Sequence, residues 1–324
     1  VIPLTEERRR QVQRRRAAAK RQTRPPAAGA TTRPPGGAAR RGSRRAPETG
    51  AIDFHLAAAV SCARAAGRVL LDYWGRRATF TVQRKGPNDF VTVADRAAEE
   101  AIVRILRSRF PGHAIVAEES GSSGPVVATG PVGVESGAGY RWFIDPLDGT
   151  TNYIHGYPLF GVSIGLMDVQ GMCAAAVFDP VRDEMFTAAR GSGAFLNGEP
   201  IKVTRPGKLA NALLVTGIPF RSLERLDNYL ATFRSFIAGS AGIRRDGSAA
   251  LDLAYVACGR YDGFWEMGLS SWDVAAGSLL VTEAGGVVTD FHGRPDFVGS
   301  GDIIAAGPEI HPPMLAVIRD AYGR

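Results

Sequence analysis

The stretch RWFIDPLDGTTNY, Arg141 to Tyr153, decides how the rest of the chain is read. An apolar run enters Pro146, and the chain then turns through Asp148 and Gly149. The run reads as a buried strand that ends at Pro146, because proline has no N–H for a sheet ladder. Asp145 and Asp148 stand three residues apart at that strand end, and two carboxylates there need something to neutralise them. Thr150 and Thr151 follow where a helix can begin, which is a ready anion site.

Outward from this point the pattern is mixed. Toward the N-terminus, Leu56, Val60, Ala63, Gly67, Leu70 and Trp74 recur at steps of four and three, one face of a helix that Gly75 ends. A second helix is expected from about Asp95 to Arg109, with Ala98, Ile102, Ile105 and Leu106 inward. Between them, ATFTVQRKGPNDFVTV reads as two short strands about a Gly-Pro-Asn turn. HAIVAEES is a short buried strand ending in two acids, and GSSGPVVATGPVGVESGAG reads as a surface loop. From Phe160 to Val203 the pattern is antiparallel β, with Asn197-Gly198 a hairpin turn. After Pro206, strands and helices alternate, and a last helix is expected over Pro313 to Tyr322. The order predicts α+β passing into α/β, with helices layered between sheets.

The chain has 324 residues, 45% of them hydrophobic, which suits one large globular domain or two packed ones. No uninterrupted apolar run approaches the roughly 20 residues of a membrane span, and no apolar signal segment follows the basic start. Three widely spaced cysteines, Cys62, Cys173 and Cys258, predict free and mostly buried thiols in a reducing, cytoplasmic setting. The net charge of +7 is unevenly spread: residues 1–50 carry a net +11 and the remainder a net −4. The arm, residues 1–50, is rich in Arg, Ala, Pro and Gly and nearly free of large apolar residues after Val12, so disorder is expected. A nucleic-acid or anionic-surface tether, a transit peptide and a dispensable extension are the readings left open for it.

Four acids stand at element ends: Glu118 after AIVA, Asp145 and Asp148 around Pro146, and Asp273 in the first turn of the helix after EMGLSSW. Each alone has a plain explanation, as a turn acid, a helix-terminus acid or a solvated one. Together, at strand ends that line a common crevice, they would repel and protonate unless cations neutralised them. Hard oxygen ligands without Cys or His select Mg²⁺ or Mn²⁺ over zinc. The Leu147 carbonyl can turn toward the same ions, and Gly149 lets a phosphate approach the backbone. Metal beside a phosphate cradle implies phosphoryl transfer to water.

The residues resemble a known family. WFIDPLDGTTNYIHGYP matches the signature D-P-[IL]-D-G-T-x-N of the inositol monophosphatases, and WDVAAGSLLVTEAGG matches their second, W-D-x-A-A-G-x-x-[IL]-[IL]-x-E-A-G-G. AEES resembles the G-E-E-S element, with Ala117 in place of Gly. KGPNDFVTVAD resembles the lysine-bearing loop, and IRRDGSAALDLAYVACGRYDGFWEMGLSSWD resembles bacterial members. The likeness runs in order from about Ile52 to Ala306. It implies an α-β-α-β-α sandwich, commonly dimeric, and a Mg²⁺-dependent, lithium-sensitive phosphatase using two or three ions. It implies metal ligation by Glu118, Asp145, Asp148, Asp273 and the Leu147 carbonyl. Glu118 and Thr150 would orient the attacking water, Asp95 would support Thr150, and Lys85 would sit on a mobile loop near a third ion. Gly149 and Thr150 would meet the phosphate. Gly247, Ser248, Ala249 and Glu266 would line the pocket for the alcohol. The expected organisation is the arm over residues 1–50, a metal- and phosphate-binding half over 51–206, and an α/β half over 207–324 that completes the site.

Inositol-1-phosphate is the favoured substrate, because a carboxylate at Glu266 suits ring hydroxyls. Histidinol phosphate, a sugar bisphosphate or a 3′-phosphonucleotide would use the same chemistry. The reading from another class is an RNA- or partner-binding scaffold tethered by the arm. Asp179, Asp183 and Asp290 read as structural turn acids, His155 as an ordinary loop histidine, and Trp142, Trp265 and Trp272 as core. GSGAFLNG superficially resembles a nucleotide loop but precedes a hairpin, so it fails that test.

Overall fold

Small residues shape the first layer. In a computed structural model, which describes residues 49–76, 82–86, 89–123, 139–220 and 222–323, helix α1 (Thr49–Trp74) buries Ala58, Ala59, Cys62, Ala63, Ala66 and Leu70 completely. This stripe is wider than the expected one, because alanines let the helix lie close on what it covers. The expected arm lies outside the described residues except at Thr49 and Gly50, which already belong to α1. By length and composition α1 could cross a membrane, with a mean hydropathy of 1.2 over Ile52–Trp74. Its inner face instead packs into a core shared with α2 (Val93–Arg109) and the large sheet.

Strands β1 (Val82–Gly86) and β2 (Asp89–Thr92) form a two-stranded antiparallel ribbon; Pro87 and Asn88 of its turn lie outside the described residues. The eight-stranded sheet is built from β3 (Ala114–Ala117), β4 (Gly121–Ser123), β5 (Arg141–Asp148), β6 (Gly161–Asp168), β7 (Gly171–Asp179), β8 (Glu184–Ala189), β9 (Gly193–Leu196) and β10 (Glu199–Ile201). Its order is β10-β9-β8-β7-β6-β5-β3-β4. β3 and β5 run parallel, with Ala117 opposite Ile144, so both strands end on the same side. The ladder between β5 and β6 is irregular between Asp145 and Asp148, where Pro146 interrupts it. The segment read wholly as a surface loop after AEES begins with β4, whose three polar or glycine residues give no strand pattern. A short helix, α3 (Thr150–His155), follows β5.

The C-terminal part supplies α4 (Leu226–Gly239), α5 (Ala249–Ala257), α6 (Ser271–Glu283), α7 (Phe297–Ser300) and α8 (His311–Ala321). Its five strands are β11 (Leu213–Thr216), β12 (Gly242–Arg244), β13 (Gly263–Glu266), β14 (Val287–Thr289) and β15 (Ile303–Ala306), in the order β12-β11-β13-β15-β14. Strand β15 has no counterpart in the sequence reading, because IIAA shows neither alternation nor flanking turn pairs, yet it lies between β13 and β14.

Helices α5 and α6 pack on the face of the large sheet opposite α1 and α2, and also against the small sheet. Every residue of α5 is buried, as a middle layer requires. Gly277 permits the close contact of these two helices: a Cβ there would lie 2.5 Å from that of Leu253. Helices α4 and α8 cover the outer face of the small sheet. The layers therefore run α-β-α-β-α, as the resemblance implies.

Candidate active site

Parallel pairing of β3 and β5 brings the first two acids together. Glu118 follows β3 directly, and its N–H donates to the Ile144 carbonyl at 3.2 Å, which sets it beside Asp145. Asp145 is 2% exposed, and its Oδ1 accepts from the Leu147 N–H at 2.9 Å. Beyond Pro146 the chain turns at Gly149, with φ of 92°, a left-handed conformation that glycine adopts without penalty. An added Cβ would also lie 3.2 Å from the Gly247 carbonyl and 3.3 Å from that of Leu159.

The turn is locked from both sides. Thr150 Oγ1 donates to the Leu147 carbonyl at 3.1 Å and lies 3.3 Å from Asp95 Oδ1. Asp95 is fully buried and accepts from the Thr92 N–H at 2.9 Å within the capping box that starts α2. Asn152 Nδ2 donates to the carbonyls of Leu159 and Asp246, each at 2.8 Å, and so ties α3 to the loop before α5. Asp148 Oδ2 accepts from Ser248 Oγ at 2.6 Å and from the Ala250 N–H at 2.7 Å, at the start of α5. Asp273 Oδ2 accepts from the Ser270 N–H at 2.7 Å in a second capping box, and Ser163 Oγ on β6 holds the neighbouring Trp272 carbonyl at 3.1 Å. Trp272 is only partly buried, unlike the core residue expected there.

One cavity of about 350 Å³ is lined by Glu118, Asp145, Leu147, Asp148, Gly149 and Thr150 from the first half of the sequence. Gly247, Ser248, Ala249, Glu266 and Asp273 line it from the second. Asp95 stands behind Thr150. Lys85 lies on β1, and its side chain is outside the described residues. The sequence reading missed Gly217, Ile218, Pro219, Phe220 and Arg245, which also line the cavity. The strand-end rule applied to β11 would have pointed to Gly217. The Glu266 carboxylate lies against that glycine, where any Cβ would collide with it.

Burial raises the Asp145 carboxyl well above the ordinary range, and the charges of Glu118, Asp148 and Asp273 raise it further. Burial also raises Asp148, against the opposing hydrogen bonds from Ser248 and Ala250. Asp95 is pushed up to about 6, again chiefly by burial. Arg245 is the single cationic side chain among the described residues lining the cavity. Among the described residues, no three Asp, Glu, His or Cys side chains stand ready to enclose an ion. Several of the site oxygens are turned to backbone or hydroxyl donors instead. The chemistry of the set nonetheless fits a divalent cation. These are hard oxygen donors, Asp145 buried and Glu118, Asp148 and Asp273 half-buried, mutually repelling and outnumbering the one arginine that lines the cavity among the described residues.

Known proteins resemble the whole of this arrangement. The family model of the inositol monophosphatase family matches residues 52–323. A Pseudomonas aeruginosa protein named Nus factor SuhB is 49% identical over 263 residues, covering 81% of this chain and 94% of its own. An inositol-1-monophosphatase of Mesorhizobium japonicum is 42% identical, covering 80% and 94%. Among solved structures, the suhB extragenic suppressor protein of Bartonella henselae superposes with a TM-score of 0.76 at 41% identity, covering 82% of this chain and 98% of that one. The inositol monophosphatase of Anabaena gives 0.73 at 42% identity, covering 83% and 97%.

Proposed function

The chain belongs to the inositol monophosphatase family, and from that premise we propose that it is a Mg²⁺-dependent phosphatase of small polyol phosphomonoesters, with inositol-1-phosphate the favoured substrate. The observation that carries this reading is the convergence of Glu118, Asp145, Asp148, Asp273 and Thr150 on one cavity. Glu118, Asp145 and the Leu147 carbonyl would hold one divalent ion, and Asp145, Asp148 and Asp273 a second; Mn²⁺ suits the same donors. Bound there, the ions would supply Lewis-acid polarisation of the phosphoryl oxygens and a more acidic water.

The chain's own groups do the rest. Glu118 and Thr150 orient the attacking water, and Glu118 takes up its proton. Asp95 and the Leu147 carbonyl hold the Thr150 hydroxyl in place. The amides at Gly149 and Thr150 meet the phosphate where α3 begins, and Gly149 leaves room for it. Ser248 and Ala249 border the alcohol, and the Glu266 carboxylate accepts hydrogen bonds from its hydroxyls. Water attacks in line, without a phospho-enzyme. We propose that the enzyme works as a homodimer.

The test is phosphate release across a panel of phosphomonoesters. Inositol-1-phosphate should lead, EDTA should abolish turnover, Mg²⁺ should restore it, and Li⁺ should inhibit. Undiminished turnover in exhaustively chelated protein would refute the metal reading. A flat panel, or one led by histidinol phosphate, would refute the substrate. A second reading has its own support: relatives carry the name Nus factor, and residues 1–50 hold a net charge of +11. On that reading the arm also binds a polyanion such as RNA. Salt-dependent RNA binding lost on removing residues 1–48 would support it, and equal binding without them would end it.

A further inference from the structure

Arg245 stands among acids without joining any of them. Glu118, Asp145, Asp148, Glu266 and Asp273 line the same cavity, and Arg245 is the single cation there among the described residues. Among those residues it forms no hydrogen bond and no ion pair. Its guanidinium rests instead on an aromatic ring: Cζ stands 5.4 Å from the ring centroid of Phe220, which also lines the cavity. That contact holds the head group and uses none of its five N–H donors. A residue kept to balance the acids would be paired with one of them.

Its place in the fold says which part of a substrate it meets. Arg245 is exposed and directly follows β12, and the loop after it leads into α5. Gly247 turns that loop with φ of 86°, and a Cβ there would lie 2.5 Å from Arg245 Nη1. The guanidinium therefore lies against the residue that precedes Ser248 and Ala249, which border the alcohol. From the other side it is held by Phe220, in the loop that starts at Gly217, the glycine on which Glu266 is seated. Burial raises the Tyr229 hydroxyl, the Glu266 charge raises it further and Arg245 opposes both, so the two head groups share one neighbourhood. Without Arg245, a second anion on the alcohol would face only carboxylates and be rejected.

We propose that Arg245 is a specificity-determining residue whose guanidinium takes a second anionic group on the alcohol, a carboxylate or a phosphate, so that the enzyme also hydrolyses polyol phosphomonoesters that carry one. The inference rests on the phosphatase reading above and adds a substrate class. A guanidinium offers a fork of two N–H donors that matches either anion. Water adds to the ester phosphorus, the bond from phosphorus to the alcohol oxygen breaks, and that oxygen takes a proton. The second anionic group stays on the product unchanged.

The test uses two pairs of esters that differ by one anionic group, at fixed ionic strength with Mg²⁺. 2-Phosphoglycerate replaces the hydroxymethyl group of glycerol-2-phosphate by a carboxylate. Inositol-1,4-bisphosphate adds a phosphate to inositol-1-phosphate, and its hydrolysis is read as inositol-4-phosphate formed. Arg245→Gln should lower the ratio of kcat/KM, anionic over neutral partner, by about tenfold or more in at least one pair, chiefly through KM. The pair that responds tells whether the group read is a carboxylate or a phosphate. Arg245→Lys should keep part of the ratio, Arg245→Glu should lose more of it, and Phe220→Ala should lower it less than Arg245→Gln. Thermal unfolding checks that each variant is folded. An equal effect of Arg245→Gln on both members of each pair would overturn the assignment and leave the phosphatase reading standing, as would a wild type that hydrolyses the neutral esters and neither anionic one. Release of phosphate from none of the four esters by the wild type would overturn both.

Discussion

Asp273→Asn should abolish turnover and leave the fold intact. As a helix first-turn acid, Asp273 contributes only about 0.3–1 kcal/mol, and asparagine can still accept from the Ser270 N–H. One of four converging charges is also removed, so the metal-free variant should melt no lower than the wild type, while kcat collapses with Mg²⁺ present. Thermal unfolding paired with single-substrate kinetics checks both halves; a normal kcat would make Asp273 a structural cap. Gly217→Ala tests the alcohol pocket, because its Cβ collides with the Glu266 carboxylate. The expected result is a loss of preference for inositol-1-phosphate over p-nitrophenyl phosphate, read as the ratio of kcat/KM. A third residue addresses pH. His311 is 5% exposed, its Nε2 lies 2.9 Å from Thr289 Oγ1, and burial lowers its pKa to about 4. The unfolded chain binds that proton near pH 6.5 and the folded one only near 4, so stability falls as pH drops between those values. Urea melts at pH 7 and 4.5 should show a smaller acid loss for His311→Gln, by up to roughly 3 kcal/mol. The four acids were legible because each sits at a recognisable strand or helix end. Glu266's seat on Gly217 was not, because it joins residues 49 positions apart that no local pattern links.

Gly277→Ala sets two effects against each other on α6. Alanine in a helix interior gains about 1 kcal/mol over glycine. Its Cβ would press on the Leu253 Cβ at 2.5 Å, an atom anchored to the backbone of α5 that cannot swing away. Overpacking of this kind costs about 1–3 kcal/mol, so the variant should be less stable by up to roughly 2 kcal/mol in chemical denaturation. A stabilised variant would show that the α5–α6 contact is slack. Elements with a period were legible: the helical rows of α1 and α2, and the antiparallel strands β6 to β9. Elements defined only by their neighbours were not. β4 is a strand because β3 lies beside it. β15 is four apolar residues that become a strand only by filling the gap between β13 and β14.

Removing residues 1–48 should leave the melting temperature and the phosphatase rate nearly unchanged, because that segment has no apolar face with which to dock. Scanning calorimetry and phosphate release on both chains check this, and a large loss in either would show that the segment packs on the domain. The five-layer order followed from the family signatures and the switch from antiparallel to alternating pattern near Pro206. The pairing of strands across the layers did not, since register is set by contacts distant in sequence. One such pairing bears on how the molecule is made. Strand β15 follows β11 to β14 in the sequence, yet it belongs inside the small sheet and pairs Ile303 with Glu266. Until it arrives, the edges of β13 and β14 that it covers stay unpaired, and the Glu266 end of β13 has no neighbour on that side. Synthesis is vectorial, but the working pocket cannot be assembled in that order. The small sheet, and with it the Glu266 side of the cavity, therefore closes only once residues 303–306 have been made.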